Sequence, residues 1–229
     1  MLILAADTSG KNGSLALARG HHDGACAVLD VVPLAGGTFS AQLVPQIAAL
    51  LGKHRFTKVD IAALAVASGP GSFTGLRVGL AAIKALAEIL SKPIAAVSLL
   101  EALALAGDLQ GNVAQGKVVA LLDAGRGEAY LGEYEIAGDS ARLLRERILP
   151  TSGLTQLPAA STFVTSDPAL AEAARSAGST VREVAPISAA AVARLGWRKI
   201  QRGETVTPEQ LEANYIRRSD AEIFAVNKP

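Results

Sequence analysis

Asp7 and Asp123 each close a short apolar run and open a turn rich in small residues. Leu2-Ile3-Leu4-Ala5-Ala6 leads into Asp7-Thr8-Ser9, and Val118-Val119-Ala120-Leu121-Leu122 leads into Asp123-Ala124-Gly125. A carboxylate at a strand end, followed by a turn of backbone N–H groups and hydroxyls, suits a nucleotide phosphate with a hydrated Mg²⁺ beside it. Thr8, Ser9 and Ser14 bring hydroxyls to the first turn, and Gly125 and Gly127 shape the second. Each aspartate taken alone also fits a plain Asx turn, in which the side chain caps its own backbone. The two stand 123 − 7 = 116 residues apart in a chain of 229, about half its length, so the pair says more than either member.

A second stretch concentrates glycine and hydroxyl residues: Ser68-Gly69-Pro70-Gly71-Ser72-Phe73-Thr74-Gly75-Leu76-Arg77-Val78-Gly79. No register of it supplies the Lys-Ser or Lys-Thr of a P-loop. Gly69, Gly71 and Gly75 give G-x-G-x-x-x-G, one residue too long for the dinucleotide fingerprint. Ser72 directly follows Gly71, which is wrong for a nucleophile elbow. The stretch therefore reads as a tight strand-to-helix turn that lets the helix pack closely on a sheet.

Other routes to chemistry are closed by composition. His21, His22 and His54 form no H-x-x-x-H or H-E-x-x-H pair and have no cysteine cluster near them, which argues against a protein-held metal. Cys26 is the single cysteine, so no intrachain disulfide forms, and a thiol in an apolar run reads as core filler. Twenty-two basic and 21 acidic residues leave a net charge of +1, too weak a field for the chain to grip nucleic acid by itself. Asp7 interrupts the first apolar run, there is no basic leader, and no run spans a bilayer, so the expectation is a soluble, cytoplasmic protein.

Hydrophobic periodicity places these residues on elements. The first half reads as strands Leu2–Ala6, Ser14–Ala18 and Ala25–Leu34, then a helix Ser40–Lys53 with Pro45 near its start. A buried strand Ile61–Ala67, a helix Gly75–Leu90, a strand Ile94–Ser98 and a helix Leu99–Ala106 follow. Gly107 to Gly116 reads as a linker. Beyond it the pattern restarts, with Val118–Leu122, Ala129–Tyr134 and Arg145–Leu149 as strands. Thr162–Thr165, a helix Ala169–Ala177, Thr180–Val184 and a helix Ser188–Arg202 complete the second half. The expected organisation is a duplicated α/β chain with lobes at 1–107 and 108–229, each opening with antiparallel strands around an aspartate turn.

The helix Gly75–Leu90 is apolar almost all round, with Arg77, Lys84 and Glu88 on one narrow stripe. Such a helix is buried in its own core or against a partner, and the sequence leaves both open. Gly75, Gly79 and Ala82 form a small-residue ridge along which a second helix could approach.

Duplicated units of this kind are the signature of the actin/Hsp70-like (ASKHA) fold, which includes sugar kinases. Its nucleotide-binding members carry a paired-glycine loop in the second half, where this chain has Val164-Thr165-Ser166-Asp167-Pro168. The alternative to a binding subunit is a small actin-fold ATPase or kinase using Asp7 and Asp123.

Three motifs narrow the field: Leu2-Ile3-Leu4-Ala5-Ala6-Asp7-Thr8-Ser9, the Ser68–Gly79 stretch, and Asp123-Ala124-Gly125-Arg126-Gly127-Glu128-Ala129-Tyr130. With the tail Tyr215-Ile216-Arg217, they resemble the bacterial TsaB (YeaZ) family from end to end. The resemblance implies a part in making N6-threonylcarbamoyladenosine (t6A) at adenosine 37 of tRNAs that read codons beginning with A. In that family's pathway TsaD is the transferase and holds a metal through an H-x-x-x-H pair, which this sequence lacks. TsaB is a scaffold without catalytic residues, paired with TsaD, and the ATPase TsaE joins them. ATP, Mg²⁺ and the metal are then expected on the partner subunits, with tRNA reached through the complex; the apolar face of Gly75–Leu90 leaves both a homodimer and a monomer open when the partner is missing. Carried onto this chain, the pairing helices are Ser40–Lys53 and Gly75–Leu90, with Leu43, Ile47, Leu50, Leu76, Gly79, Leu80, Ala82 and Ile83 at the contact. Asp7, Thr8, Ser9 and Asp123 become remnants of a phosphate site. Many relatives have a histidine at the start of the first pairing helix, where this chain has Phe39-Ser40.

Overall fold

Leu2–Asp7 (β1) is buried at every position, which a strand achieves at the centre of a sheet covered on both faces. It pairs antiparallel with Gly13–Gly20 (β2), which pairs antiparallel with Cys26–Leu34 (β3). Phe39–Lys53 (α1) then leads to Ile61–Gly69 (β4), parallel to β1 on its other side. Phe73–Leu90 (α2) is the crossover to Ile94–Ser98 (β5), so the sheet order is β3-β2-β1-β4-β5. The computed structural model describes residues 1–106, 116–156 and 162–217. All but Gly116 of the expected linker lies outside them, and Gly116 begins a strand.

After Leu99–Ala106 (α3) the same plan repeats. Gly116–Gly125 (β6), Glu128–Ala137 (β7) and Ser140–Pro150 (β8) are antiparallel neighbours. Thr162–Thr165 (β9) pairs parallel with β6, Pro168–Ser176 (α4) follows, and Thr180–Glu183 (β10) pairs parallel with β9. The second sheet runs β8-β7-β6-β9-β10, which is the first with β6 standing for β1 and so on in order. The duplicated actin-like α/β architecture expected from the two aspartates is the one observed.

The division into units differs from the sequence expectation. One unit holds Met1–Leu99 and Ile187–Asn214; the other holds Leu100–Pro186 and the described residues from Tyr215. The closing helices have changed places: α3 follows β5 yet lies with the second sheet, and Ala189–Gln201 (α5) follows β10 yet packs on the first. Gaps left by missing side chains fit each helix to its new sheet. A Cβ on Gly196 of α5 would stand 2.5 Å from the Cβ of Ala65 in β4, and one on Gly20 of β2 would strike the ring of Trp197. In the other unit a Cβ on Gly132 of β7 would come within 3.2 Å of Leu100. A boundary at 107/108 misses this exchange because helix periodicity reports an apolar face and says nothing of the sheet it covers.

The core of the first unit lies between its sheet and α1 and α2: Leu4, Leu15, Leu17, Leu43, Ile47, Leu50, Leu64, Leu76, Leu80 and Ile83 are all nearly inaccessible. In the second unit Val119, Leu121, Leu131, Phe163 and Leu170 form a buried apolar cluster. Pro45 sits within α1, past its first turn, on the exposed side where a lost helix hydrogen bond costs least.

Candidate functional site

In the first aspartate turn every polar side chain named from the sequence is engaged within its own unit. Oδ1 of Asp7 accepts from the backbone N–H of Ser9 at 2.9 Å and from the Ser9 hydroxyl at 2.5 Å. Burial pushes the Asp7 carboxyl above the ordinary aspartate range, and the two Ser9 hydrogen bonds pull partly against it. The Thr8 hydroxyl donates to the carbonyl of Gly75 at 2.7 Å. The Ser14 hydroxyl accepts from the N–H of Ala189, the first residue of α5, at 2.8 Å.

The glycine-rich stretch explains why this turn is closed. Ser72 N–H donates to the carbonyl of Ser9 at 2.6 Å. A Cβ on Gly71 would lie 2.6 Å from the Ser9 carbonyl oxygen, and one on Gly75 only 2.1 Å from that of Thr8. One on Gly79 would lie 2.3 Å from the Thr8 hydroxyl oxygen. The tight-turn reading is therefore right. The ridge of Gly75 and Gly79 receives the Thr8–Ser9 turn, so it is no track for a partner helix, and Asp7, Thr8 and Ser9 make no open phosphate cradle.

The second turn keeps the local bond and changes the surroundings. Oδ1 of Asp123 accepts from Gly125 N–H at 2.8 Å, the same two-residue reach as Asp7 to Ser9. Here the aspartate is exposed, and a Cβ on Gly125 or Gly127 would meet nothing within 4 Å. The segment Val164–Pro168, in the place of a nucleotide loop, is the end of β9 and the capped start of α4. Asp167 Oδ1 accepts from Ala169 and Leu170 N–H at 2.8 and 3.0 Å, with Pro168 in the first turn of α4.

The residues carried over as partner contacts need correction. Leu43, Ile47 and Leu50 on α1, and Leu76, Gly79, Leu80 and Ile83 on α2, are buried in their own unit's core, and Ala82 packs half-buried against it. Choosing the most apolar positions selects the inward phase of each helix. The same helices leave Ala41, Val44, Pro45, Ala48, Ala81, Ala85 and Ile89 exposed. Val44 is 65% and Ile89 71% accessible, high for aliphatic side chains, and α1 and α2 pack side by side. A signal for this phase was present: the Arg77, Lys84 and Glu88 stripe marks the solvent side, and Ala81, Ala85 and Ile89 lie beside it.

At the N-terminal end of this face the Arg77 guanidinium lies 3.7 Å from the centroid of the Phe73 ring. Cys26 is half-buried on β3, its thiol pushed up by burial against the field of Arg194 and Arg198. Among the described residues no group of three His, Cys, Asp or Glu side chains is placed to hold a metal, and no helix is long and apolar enough to cross a membrane.

The family model described as TsaD, tRNA N6-adenosine threonylcarbamoyltransferase, matches residues 31–196. The tRNA threonylcarbamoyladenosine biosynthesis protein TsaB of Bacillus subtilis is 33% identical over 150 residues, which is 66% of this chain and 60% of that protein. Among solved structures, YeaZ from Pseudomonas aeruginosa superposes with a TM-score of 0.72 at 26% identity, covering 93% of this chain and 99% of that one. A ROK family protein from Streptococcus pneumoniae, solved with sucrose, has a TM-score of 0.52 at 10% identity over 89% of this chain and 99% of its own, a likeness of fold alone.

Proposed function

The chain belongs to the TsaB (YeaZ) family, and from that premise we propose that it is the non-catalytic scaffold subunit of a tRNA-modifying assembly. That assembly installs the threonylcarbamoyl group at adenosine 37 of tRNAs that read codons beginning with A. Its place is the cytoplasm. The group transfer and its metal belong to a TsaD-type subunit, ATP and Mg²⁺ to partners including a TsaE-type ATPase, and tRNA is bound by the complex.

One observation carries the reading. The polar side chains of the Asp7 turn are engaged with Ser9, Gly75 and Ala189, while exposed apolar side chains, Val44 and Ile89 foremost, stand on the outer faces of α1 and α2. A chain whose Asp7-turn side chains are engaged internally and whose helices keep an exposed apolar flank is suited to holding a partner. The docking residues in this reading are Ala41, Val44, Ala48, Ala81, Ala85 and Ile89, with the Phe73–Arg77 pair at one end.

The test is reconstitution. Purified TsaD-type transferase, TsaE-type ATPase and a source of threonylcarbamoyl adenylate are expected to modify tRNA only when this chain is added, and sedimentation is expected to show a complex with the transferase. Full modification without the chain, or two independent species at micromolar concentration, overturns the reading. Tight Mg-ATP binding by the isolated chain, lost in Asp7→Ala, would put the ATPase alternative in its place.

A further inference from the structure

The parallel strands β1, β4 and β5 begin at one end of the first sheet, and four cations stand there. Arg19 of β2 is opposite Leu2 of β1, and Leu2 is opposite Ile61 at the start of β4. Leu64 is opposite Ile94, so Lys92, two residues earlier in the chain, stands about level with Ala62. Arg55 and Lys58 lie on the connection from α1 to Ile61. Leu15 and Leu17 pack in the core under α1 and α2, and alternation along β2 turns Arg19 to that same side of the sheet. With strands about 4.8 Å apart, Arg19 on β2 and Lys92 before β5 are about 14 Å from each other.

Among the described residues none of these four side chains has an ion pair, a hydrogen bond or a ring contact. Arg19, Arg55 and Lys58 are exposed, and Lys92 is half-buried. The acids of this end are placed otherwise. Asp60 turns its carboxylate back onto the N–H and hydroxyl of Thr57, at 2.7 and 2.8 Å, and Asp30 is bonded to Lys53 and His54. Glu88, on the last turn of α2, offsets part of the charge. The chain as a whole nets only +1, so this end holds more than its share of the positive charge.

We propose that this row of cations carries part of the phosphate backbone of the tRNA on which the assembly acts. Charge selects the occupant. Cations on a strand end and two separate connections, spread over about 14 Å, match a line of phosphates, whereas a single carboxylate would engage one or two of them. Position agrees with charge. The row closes one end of the layer made by α1 and α2, whose outer face is assigned above to the transferase, so RNA lying on it runs on to that subunit. With so small a net charge the chain alone is a poor RNA binder, and the row adds its contacts to those of the complex. The inference rests on the assembly reading above and names a surface within it.

The test is one variant carrying Arg19→Gln, Arg55→Asn, Lys58→Gln and Lys92→Gln. Asn suits the backbone at Arg55, whose φ is 60°. Fluorescence anisotropy would follow unmodified tRNA binding to the complex of this chain with a TsaD-type transferase over a range of salt concentrations. Sedimentation and thermal melting would report assembly and folding. Lys117→Gln with Arg145→Gln, two exposed cations of the second unit, is the control. For the fourfold variant the Kd for tRNA is expected to rise at least about tenfold, and the slope of log affinity against log salt to shrink by about 2–4. Assembly and Tm should stay as in wild type, and the control should bind tRNA normally. An unaltered slope overturns the proposal, as does an equal loss in the control. Lost transferase binding overturns it too and makes the row a protein contact, and a fall in Tm makes it part of the fold. Wild-type proteins that do not assemble overturn the assembly reading and this surface with it, whereas a wild-type complex that forms but binds no tRNA overturns this surface alone.

Discussion

The hydroxyl of Thr8 donates to the carbonyl of Gly75 at 2.7 Å, and that same oxygen occupies the space a side chain on Gly79 would need. The first turn of the chain and the start of α2 are thereby locked together, and the glycines serve this approach.

Gly79→Ala places a Cβ 2.3 Å from the Thr8 oxygen but at ordinary contact, 3.5 Å, from the Thr8 Cβ. Overpacking of this kind costs about 1–3 kcal/mol. Removing the oxygen with Thr8→Ala should relieve most of the clash, so urea unfolding of the double-mutant cycle is expected to show strong favourable coupling. Independent, additive losses would mean that the clash is with something else. Gly75→Ala meets the Thr8 backbone carbonyl at 2.1 Å and should find no such relief.

Asp7 gives stability an unusual pH dependence. Its folded carboxyl lies above the unfolded value of 3.8, so between those two values the folded state binds more protons. Its contribution is fully present below 3.8 and is lost as pH rises through the raised value. Asp7→Asn keeps an oxygen to accept from Ser9 and removes the buried charge, so it should be as stable as wild type at pH 7, or more so. Relative to the variant, wild type should weaken as pH rises from 3.8, as followed by thermal melting; a difference independent of pH would contradict this.

Asp30 behaves in the opposite sense. Hydrogen bonds from Lys53 at 2.7 Å and with His54 at 2.9 Å hold its carboxyl down to about 2. Its contribution is present above 3.8 and is lost as pH falls through about 2. Carboxyl NMR should find a midpoint near 2 that moves up in Lys53→Met; a midpoint at the ordinary aspartate value would show that these contacts do not hold in solution.

The two faces of α2 should separate fold from association. Ile83 is inaccessible, and Ile83→Ala should cost about 2–5 kcal/mol of stability. Ile89 is 71% accessible, so Ile89→Glu should change stability by no more than about 0.5 kcal/mol yet weaken the proposed association with a TsaD-type transferase. Parallel sedimentation and melting of the two variants checks both halves. An Ile89→Glu variant that associates normally would remove this face from the interface.

Much of the molecule was legible along the chain. Apolar runs and helical spacing place the strands and helices within a few residues, as with β9 and α3, because periodicity is a local property of the backbone. The 116-residue interval between Asp7 and Asp123 announces the duplication, and the motifs announce the family. What the sequence left open concerns partners distant in the chain. The Arg77, Lys84 and Glu88 stripe gives the outward side of α2 in the sequence, whereas the close approach of Thr8 to Gly75 and Gly79 is a tertiary contact between residues far apart in the chain. Nothing within Ala189–Gln201 says that it covers β1 rather than β6; that choice is made by Gly196 against Ala65, and by Ser14 receiving the N–H of Ala189. Two aspartates with the same local bond end in different surroundings, Asp7 buried at the end of β1 and Asp123 exposed at the end of β6, because burial depends on what packs over a residue and that is decided by the assembled layers alone.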